Sequence, residues 1–86
     1  MHEIAREILA YLAENPDAAD TAEGIAGWWL PAGKASPPRA SLESALAELT
    51  AAGWLSENRG MDARSRYRLA RDKVAAIAAF RRESGR

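Results

Sequence analysis

Prolines and glycines divide this sequence into short segments, and that division limits the chain to a fold built of small elements. Asn15-Pro16 ends the first segment, because the residue before a proline is pushed out of the α-helical region. The stretch from Pro31 to Pro38 (PAGKASPP) has the strongest loop character. Gly53 is placed to end a later helix. Each segment between these breaks has room for one helix or one hairpin.

Four segments carry apolar side chains that recur every three or four residues, which is typical of amphipathic helices. The predicted helices span residues 3–14, 21–30, 39–52 and 71–83. In the third helix this spacing makes Leu46 and Leu49 core residues. The second helix begins at a capping sequence, Asp20 to Glu23, but contains Gly24 and Gly27. Because two helical glycines cost on the order of 2 kcal/mol relative to alanine, they mark either close packing or an irregular helix.

Residues 54–69 have the pattern of a β-hairpin: two extended stretches flank a polar segment that contains Gly60. Residues 18–20 form a short link or a brief strand. We therefore expect residues 1–86 to form a single, mainly α domain with a three-helix core, a small β-hairpin and a C-terminal helix. That last helix either covers its own domain or pairs with the same helix of a second copy.

Composition narrows the class of protein further. The chain has 86 residues and no cysteine, which excludes a disulfide framework and cysteine metal sites. Its balance of 48% apolar and 28% charged residues is that of a soluble globular protein. No apolar run approaches the roughly 20 residues of a membrane-spanning helix. Glu3 and Glu7 stand where a signal peptide would be basic. We expect a cytoplasmic protein with no membrane partner.

The net charge of zero conceals an uneven distribution. Residues 1–56 contain three basic and eight acidic side chains, whereas residues 57–86 contain nine basic and four acidic ones. Such a division favours either one face for an anionic partner or two faces that attract each other.

Residues 46–55 (LAELTAAGWL), followed by a charged loop and Tyr67-Arg68-Leu69, resemble winged helix-turn-helix proteins. In that family the third helix ends in a leucine, a glycine and an aromatic or leucine pair, and a hairpin wing returns through a strand with tyrosine and leucine. The resemblance covers roughly residues 3–80, and its specific part is residues 46–69. The link between the second and third helices is about eight residues, whereas a helix-turn-helix usually has three or four. The resemblance implies a small transcription regulator, or an accessory subunit of one, with double-stranded DNA as its partner.

If the third helix lies in the major groove as the resemblance implies, its first turns lie nearest the bases. The candidate DNA contacts there are Arg39, Ser41 and Ser44. However, Glu43 and Glu48 would approach phosphates, and this face has no asparagine or glutamine to pair with adenine. A solvated helix face explains the same residues equally well.

The wing carries the second set of candidate DNA contacts. Arg64, Arg66 and Arg68 recur with a period of two, so they point to one side of the second strand while Tyr67 and Leu69 pack inward. The candidate phosphate contacts of the wing are Arg64, Arg66 and Arg68, with Arg59 extending the row from across the hairpin. Phosphate contacts position a duplex without reading its sequence. The alternative is an edge strand protected from aggregation by its charges.

The adjacent tryptophans Trp28 and Trp29 indicate a candidate protein interface. Adjacent helical residues lie about 100° apart, so both cannot face one core. Trp29 shares a stripe with Ile25 and is the core member, which leaves Trp28, together with Leu30, as a candidate contact with a protein partner or a second copy. The alternative is that the loop over residues 31–38 covers Trp28. A winged helix used for protein contact without DNA binding is therefore the second hypothesis.

Nothing in the sequence predicts an enzyme, a cofactor or a metal. The segment from Gly27 to Lys34 is similar to a phosphate-binding loop, but five residues separate its glycines and Ala35 stands where serine or threonine would bind magnesium. The single histidine, His2, is no credible base for a serine nucleophile.

Overall fold

The computed structural model describes residues 3–30 and 37–84, apart from the side chains of residues 80–84. The described part contains four helices and one three-stranded antiparallel sheet, and it is mostly helical. The second helix is an α-helical turn continued by a π-helical turn, and a short 3-10 turn, Arg71–Lys73, precedes the last helix. The elements in chain order are α1 (Glu3–Glu14), β1 (Ala19–Thr21), α2 (Ala22–Gly24, continued as a π-helix over Ile25–Trp29), α3 (Arg39–Ala51), β2 (Leu55–Arg59), β3 (Ser65–Leu69) and α4 (Val74–Ser84).

The four predicted helices and the predicted hairpin are confirmed, and α1 has the predicted bounds. Most of the predicted loop, residues 31–36, lies outside the described residues. Among the residues that the structure describes, no helix is both long and apolar enough to cross a membrane.

The sheet has the strand order β1-β3-β2, so β3 is its central strand. The segment that was either a link or a brief strand is a strand, and it pairs antiparallel with β3 from Ala19 opposite Arg68 to Thr21 opposite Arg66. On the other side, β2 pairs with β3 from Leu55 opposite Leu69 to Arg59 opposite Ser65. The hairpin is therefore attached to the helical part of the domain through β1, which leads directly into α2.

One apolar core joins the helices to the inner face of the sheet. The predicted core positions Leu46 and Leu49 of α3 are both completely buried or nearly so. Ile77 of α4 is buried as well, and α4 packs along α1, so the C-terminal helix covers its own domain. The remaining core residues are Ala5, Ile8, Leu9, Leu12, Ile25, Trp29, Leu42, Ala45, Leu55 and Leu69.

The two glycines of the second helix have different roles. The Thr21 hydroxyl accepts a hydrogen bond from the Gly24 main-chain N–H at 3.3 Å, which caps the helix start. A Cβ atom on Gly24 would collide with the Asp20 carboxylate, so this glycine permits a close approach. Gly27 has open space around it and lies in the π-helical turn. Both expectations, close packing and an irregular helix, are therefore confirmed, the first at Gly24 alone.

Candidate nucleic-acid interface

Residues 61–63, enclosed by the hydrogen-bonded pair Gly60 and Arg64, form the loop that closes the hairpin. The Gly60 N–H donates to the Arg64 carbonyl at 2.9 Å, and the Ala63 N–H donates to the Gly60 carbonyl at 3.0 Å. Ala63 has a φ of 65°, the left-handed conformation that ends this common type of hairpin loop. Met61 stands fully exposed at the tip.

An ion pair across this loop orients one of the predicted phosphate contacts. Both terminal nitrogens of Arg66 donate to the Asp62 carboxylate, at 3.1 and 3.3 Å, and the Arg64 main-chain N–H donates to the same carboxylate at 3.1 Å. The hydrogen bonds from Arg66, and then that from Arg64, hold the pKa of Asp62 below its usual value, and the same pair raises the pKa of Arg66. The Arg66 side chain therefore has a defined direction, and its positive charge is paired with the Asp62 carboxylate.

Arg66 and Arg68 share the outer face of the sheet. They lie opposite Asn58 and Ser56 of β2, and directly opposed residues of antiparallel strands point to the same side. These four residues are exposed. Arg66 and Arg68, together with Ala19 of β1, border a shallow cavity of about 210 Å³. Because β3 is the central strand, the alternative interpretation of its arginines as protection for a sheet edge is wrong.

Arg59 does not extend this row, contrary to the prediction. It lies opposite Ser65, so its side chain belongs to the other face of the sheet, the face on which Tyr67 and Leu69 pack inward as predicted. The reason is the register: each strand alternates its side chains, and the loop length pairs Arg59 with an odd-numbered residue of β3.

Arg64 does not share the outer face with Arg66 and Arg68 either, contrary to the prediction, because it precedes β3 and belongs to the hairpin loop. With Arg39 and Arg59 it lines a groove between the hairpin and the starts of α2 and α3. The groove has a volume of about 470 Å³. Arg39 enters it from α3, and Arg59 and Arg64 enter it from the hairpin. Its other lining residues are Ala22, Glu23, Glu43, Ala63, Ser65 and Tyr67.

Two carboxylates form ion pairs with the Arg39 guanidinium. Its Nη2 lies 3.0 Å from Glu23 of α2, and its Nε lies 3.0 Å from Glu43 one turn further along α3. These hydrogen bonds, first with Glu43 and then with Glu23, raise the pKa of Arg39. The pKa of Glu23 is lowered by a main-chain hydrogen bond, then by Arg39, with a smaller contribution from the charge of Arg64. All of these groups are exposed, so solvent screens the pairs and they contribute little to stability.

Tyr67 forms the floor of the groove. Its ring is half-buried against the core. Burial raises the pKa of the Tyr67 phenol, and the nearby charges of Glu57 and Glu43 and a hydrogen bond to Glu57 raise it further. The phenol is therefore a neutral hydrogen-bonding group at physiological pH.

The exposed side of α3 offers little for reading bases. Ser44 is exposed, but Ser41 is half-buried, and Glu43 and Glu48 are exposed on the same side of the helix. With Arg39 paired, Ser44 is the predicted donor of this helix that is left open to solvent. The predicted contacts of the third helix therefore do not form a common donor surface.

The adjacent tryptophans separate as predicted. Trp28 is 79% exposed and Trp29 is 5% exposed. Leu30, the other candidate interface residue, is half-buried and packs against the core. The alternative that the loop covers Trp28 rests on residues 31–36, which lie outside the described residues.

Two features of this surface were missed in the sequence. Met61 was not singled out, although a methionine between Gly60 and Asp62 in a polar loop is a visible signal of an exposed apolar tip. The pairing of Arg39 with Glu43 was also missed, although their spacing of four residues on a helix is the usual one for an ion pair.

The residues that the structure describes show neither a candidate metal site nor an unpaired buried polar side chain. They contain no group of three or more histidine, aspartate or glutamate side chains placed to hold a metal ion. Every buried side-chain nitrogen or oxygen among them has a hydrogen-bond partner.

The chain was compared with known protein families, with curated proteins and with solved structures, and none of the three comparisons found a match.

Proposed function

We propose that this protein is a winged helix-turn-helix domain that binds double-stranded DNA, with the arginines of its hairpin on the phosphates. The proposal places it in the cytoplasm as a small transcription regulator or an accessory subunit of one. Three helices followed by a hairpin and a packed C-terminal helix support the winged-helix assignment. The resemblance of residues 46–69 to that family supports it as well.

The arginines of the hairpin carry the proposal. Arg59, Arg64, Arg66 and Arg68 are all exposed and fall within ten residues of the chain. Within the described ranges, Arg66 is the one that forms an ion pair, with Asp62. The other three guanidinium groups are open to an anionic partner, and their placement on both faces of the hairpin suits a structure that phosphates surround.

The chemistry of α3 favours binding to the DNA backbone over reading of its bases. Glu23 and Glu43 hold Arg39, and Glu48 adds another exposed negative charge to the helix. Phosphate contacts position a protein on DNA without carrying sequence information. We therefore expect similar affinities for duplexes of different sequence, with a strong dependence on salt.

Titration of a labelled mixed-sequence duplex over a range of salt concentrations tests this proposal. Replacing Arg59, Arg64 and Arg68, the three hairpin arginines without an ion pair in the described ranges, with alanine removes about three phosphate contacts, so the slope of log K against log salt becomes shallower by about 2.7 units. The control variant replaces Arg6 and Arg71, which are exposed outside the hairpin, and keeps the parent slope. An unchanged slope in a folded triple variant, or no binding by the parent at low salt, contradicts the proposal.

Trp28 supports a second candidate function, contact with a protein partner. Tryptophan is among the residues that contribute most to protein interfaces, and this one is 79% exposed next to Gly27, which leaves open space beside it. On this proposal the domain is a protein-interaction module, and replacing Trp28 with alanine removes partner binding but leaves the fold intact.

A further inference from the structure

The strand β2 has a free edge with a defined set of main-chain groups. Within the described residues it pairs with β3 on one side and with no strand on the other. The Ala70 N–H donates to the Trp54 carbonyl, and the Gly60 N–H donates to the Arg64 carbonyl, both at 2.9 Å. Hydrogen-bonded and non-hydrogen-bonded pairs alternate along an antiparallel ladder. The even-numbered residues of β2 therefore bond to β3.

The odd-numbered residues of β2 consequently direct their main-chain N–H and C=O groups away from the sheet. These residues are Leu55, Glu57 and Arg59. Such an edge is a template for another strand. The side chains of Glu57 and Arg59 are exposed, and they carry opposite charges two residues apart on the same face.

We propose that two copies of this protein associate through antiparallel pairing of their β2 edges, with Asn58 on the two-fold axis. In a symmetric pair, each outward-directed residue must lie opposite another outward-directed residue. Centring the pair on Asn58 sets Glu57 of each copy opposite Arg59 of the other, which forms two ion pairs. The two sheets then continue into one sheet of six strands.

The charges of the edge exclude the neighbouring registers. Centring the pair on Glu57 sets this carboxylate against its own copy, and centring it on Arg59 sets two guanidinium groups against each other. Like charges directly opposite one another destabilise a strand pair, whereas opposite charges stabilise it. Centring the pair on Ser56 sets Leu55 against Glu57 and leaves Arg59 without a charged partner. The register on Asn58 is thus the one that gives both charged residues an oppositely charged partner.

A second observation agrees with this register. The hairpin tip extends beyond Arg59, so in the pair it lies beside the beginning of β2 in the second copy. Met61, fully exposed in the single chain, then approaches the end of the partner strand where Leu55 and the half-buried Trp54 lie. The pairing gives this exposed methionine an apolar neighbour.

The contact is small. Two strand edges of five residues each bury much less than the roughly 1,000 Å² of a stable interface, so monomer and dimer exchange readily. The outer faces of both sheets, with Arg66 and Arg68, lie on the same side of the joined sheet. The inference does not rest on DNA binding, and it is tested without DNA.

Sedimentation equilibrium over a wide range of protein concentration, up to about millimolar, tests the pairing through an exchange of charges. The parent shows a monomer–dimer equilibrium. Glu57→Arg and Arg59→Glu each replace attractions with repulsions and weaken association by about tenfold or more. The double variant with both changes restores the ion pairs and returns the dissociation constant to within about threefold of the parent value.

Matched controls separate this edge from other surfaces. Glu48→Arg and Arg71→Glu make the same changes of net charge at exposed positions outside β2, and Val74→Glu changes the exposed side of α4. These three variants associate as the parent does. If Glu57→Arg does not fold, Glu57→Gln takes its place in the test. This milder change also weakens association, because it removes the negative charge that faces Arg59 of the second copy. A parent that stays monomeric, or a double variant as weak as the single ones, overturns the inference.

Discussion

The indole of Trp29 is stacked on the phenol ring of Tyr11, with ring centroids 4.9 Å apart and planes inclined by 13°. This contact joins the π-helical turn of the second helix to α1. Trp29 packs into the core against Tyr11. Its neighbour Trp28 is therefore directed to solvent. The exposed indole is thus a consequence of how the second helix packs.

The tryptophan pair predicts two very different effects on stability. Trp29→Ala removes a buried aromatic side chain and lowers the free energy of unfolding by about 3–5 kcal/mol. Trp28→Ala changes an exposed position, and its effect stays within about 0.5 kcal/mol. Urea denaturation of both variants measures the difference. Iodide quenching of the parent detects the accessible Trp28 indole, and complete protection of all three indoles would contradict its assignment to the surface.

The two glycines of the second helix provide a matched pair for a further prediction. Gly24→Ala places a Cβ where the Asp20 carboxylate lies, so this side chain must turn away and lose its hydrogen bond from the Thr21 N–H, and we expect the domain to be destabilised. Gly27→Ala meets open space, and we expect a gain of about 0.5–1 kcal/mol from the better helix propensity of alanine. Thermal melts of the two variants should therefore shift in opposite directions. Equal shifts would mean that the close approach of Asp20 to Gly24 is not what this position requires.

Much of the fold could be predicted because its elements are encoded locally. The apolar spacing of residues 3–14 and the stop at Pro16 define α1, and the spacing of Leu46 and Leu49 identifies the core side of α3. The polar, glycine-containing segment between two extended stretches defines the hairpin. Each of these signals lies within one short stretch of chain.

The missed features depend on contacts between distant segments. The central place of β3 follows from its pairing with β1, a strand of three residues more than forty positions earlier. The wrong side assigned to Arg59 follows from the hairpin register, which the loop length decides. Arg39 is held in part by Glu23 from another helix, and no periodicity along α3 could indicate that partner. The sequence therefore predicted the helices and strands that carry these charged residues, but not the partners that other segments bring to them.

The loop ion pair predicts a pH effect at Asp62. Hydrogen bonds from Arg66 and then from the Arg64 N–H lower the pKa of this carboxyl from its usual value of 3.8. A carboxyl with a lowered pKa in the folded state stabilises the fold above its unfolded pKa, and this stabilisation is lost as the pH falls through the folded value. An NMR titration should place the Asp62 midpoint below 3.8 in the parent. The midpoint should be higher in Arg66→Ala, and equal midpoints would show that Arg66 does not hold Asp62.

The carboxylates that hold Arg39 predict that DNA binding can be strengthened by removing them. Glu23→Gln combined with Glu43→Gln removes two negative charges and both ion pairs of Arg39. The freed guanidinium can then contact a phosphate from the start of α3, beside Arg59 and Arg64 in the groove. We expect tighter binding of a mixed-sequence duplex and a salt slope steeper by about 0.9 units for the one added contact.

The control for this change is Glu48→Gln, which removes an exposed negative charge from the same helix without freeing Arg39. It should raise the affinity modestly and leave the number of phosphate contacts, and hence the salt slope, as in the parent. A second control adds Arg39→Ala to the double variant and should remove the gain in slope. If the gain persists without Arg39, then general repulsion by the carboxylates, rather than the occupied guanidinium, limits DNA binding by α3.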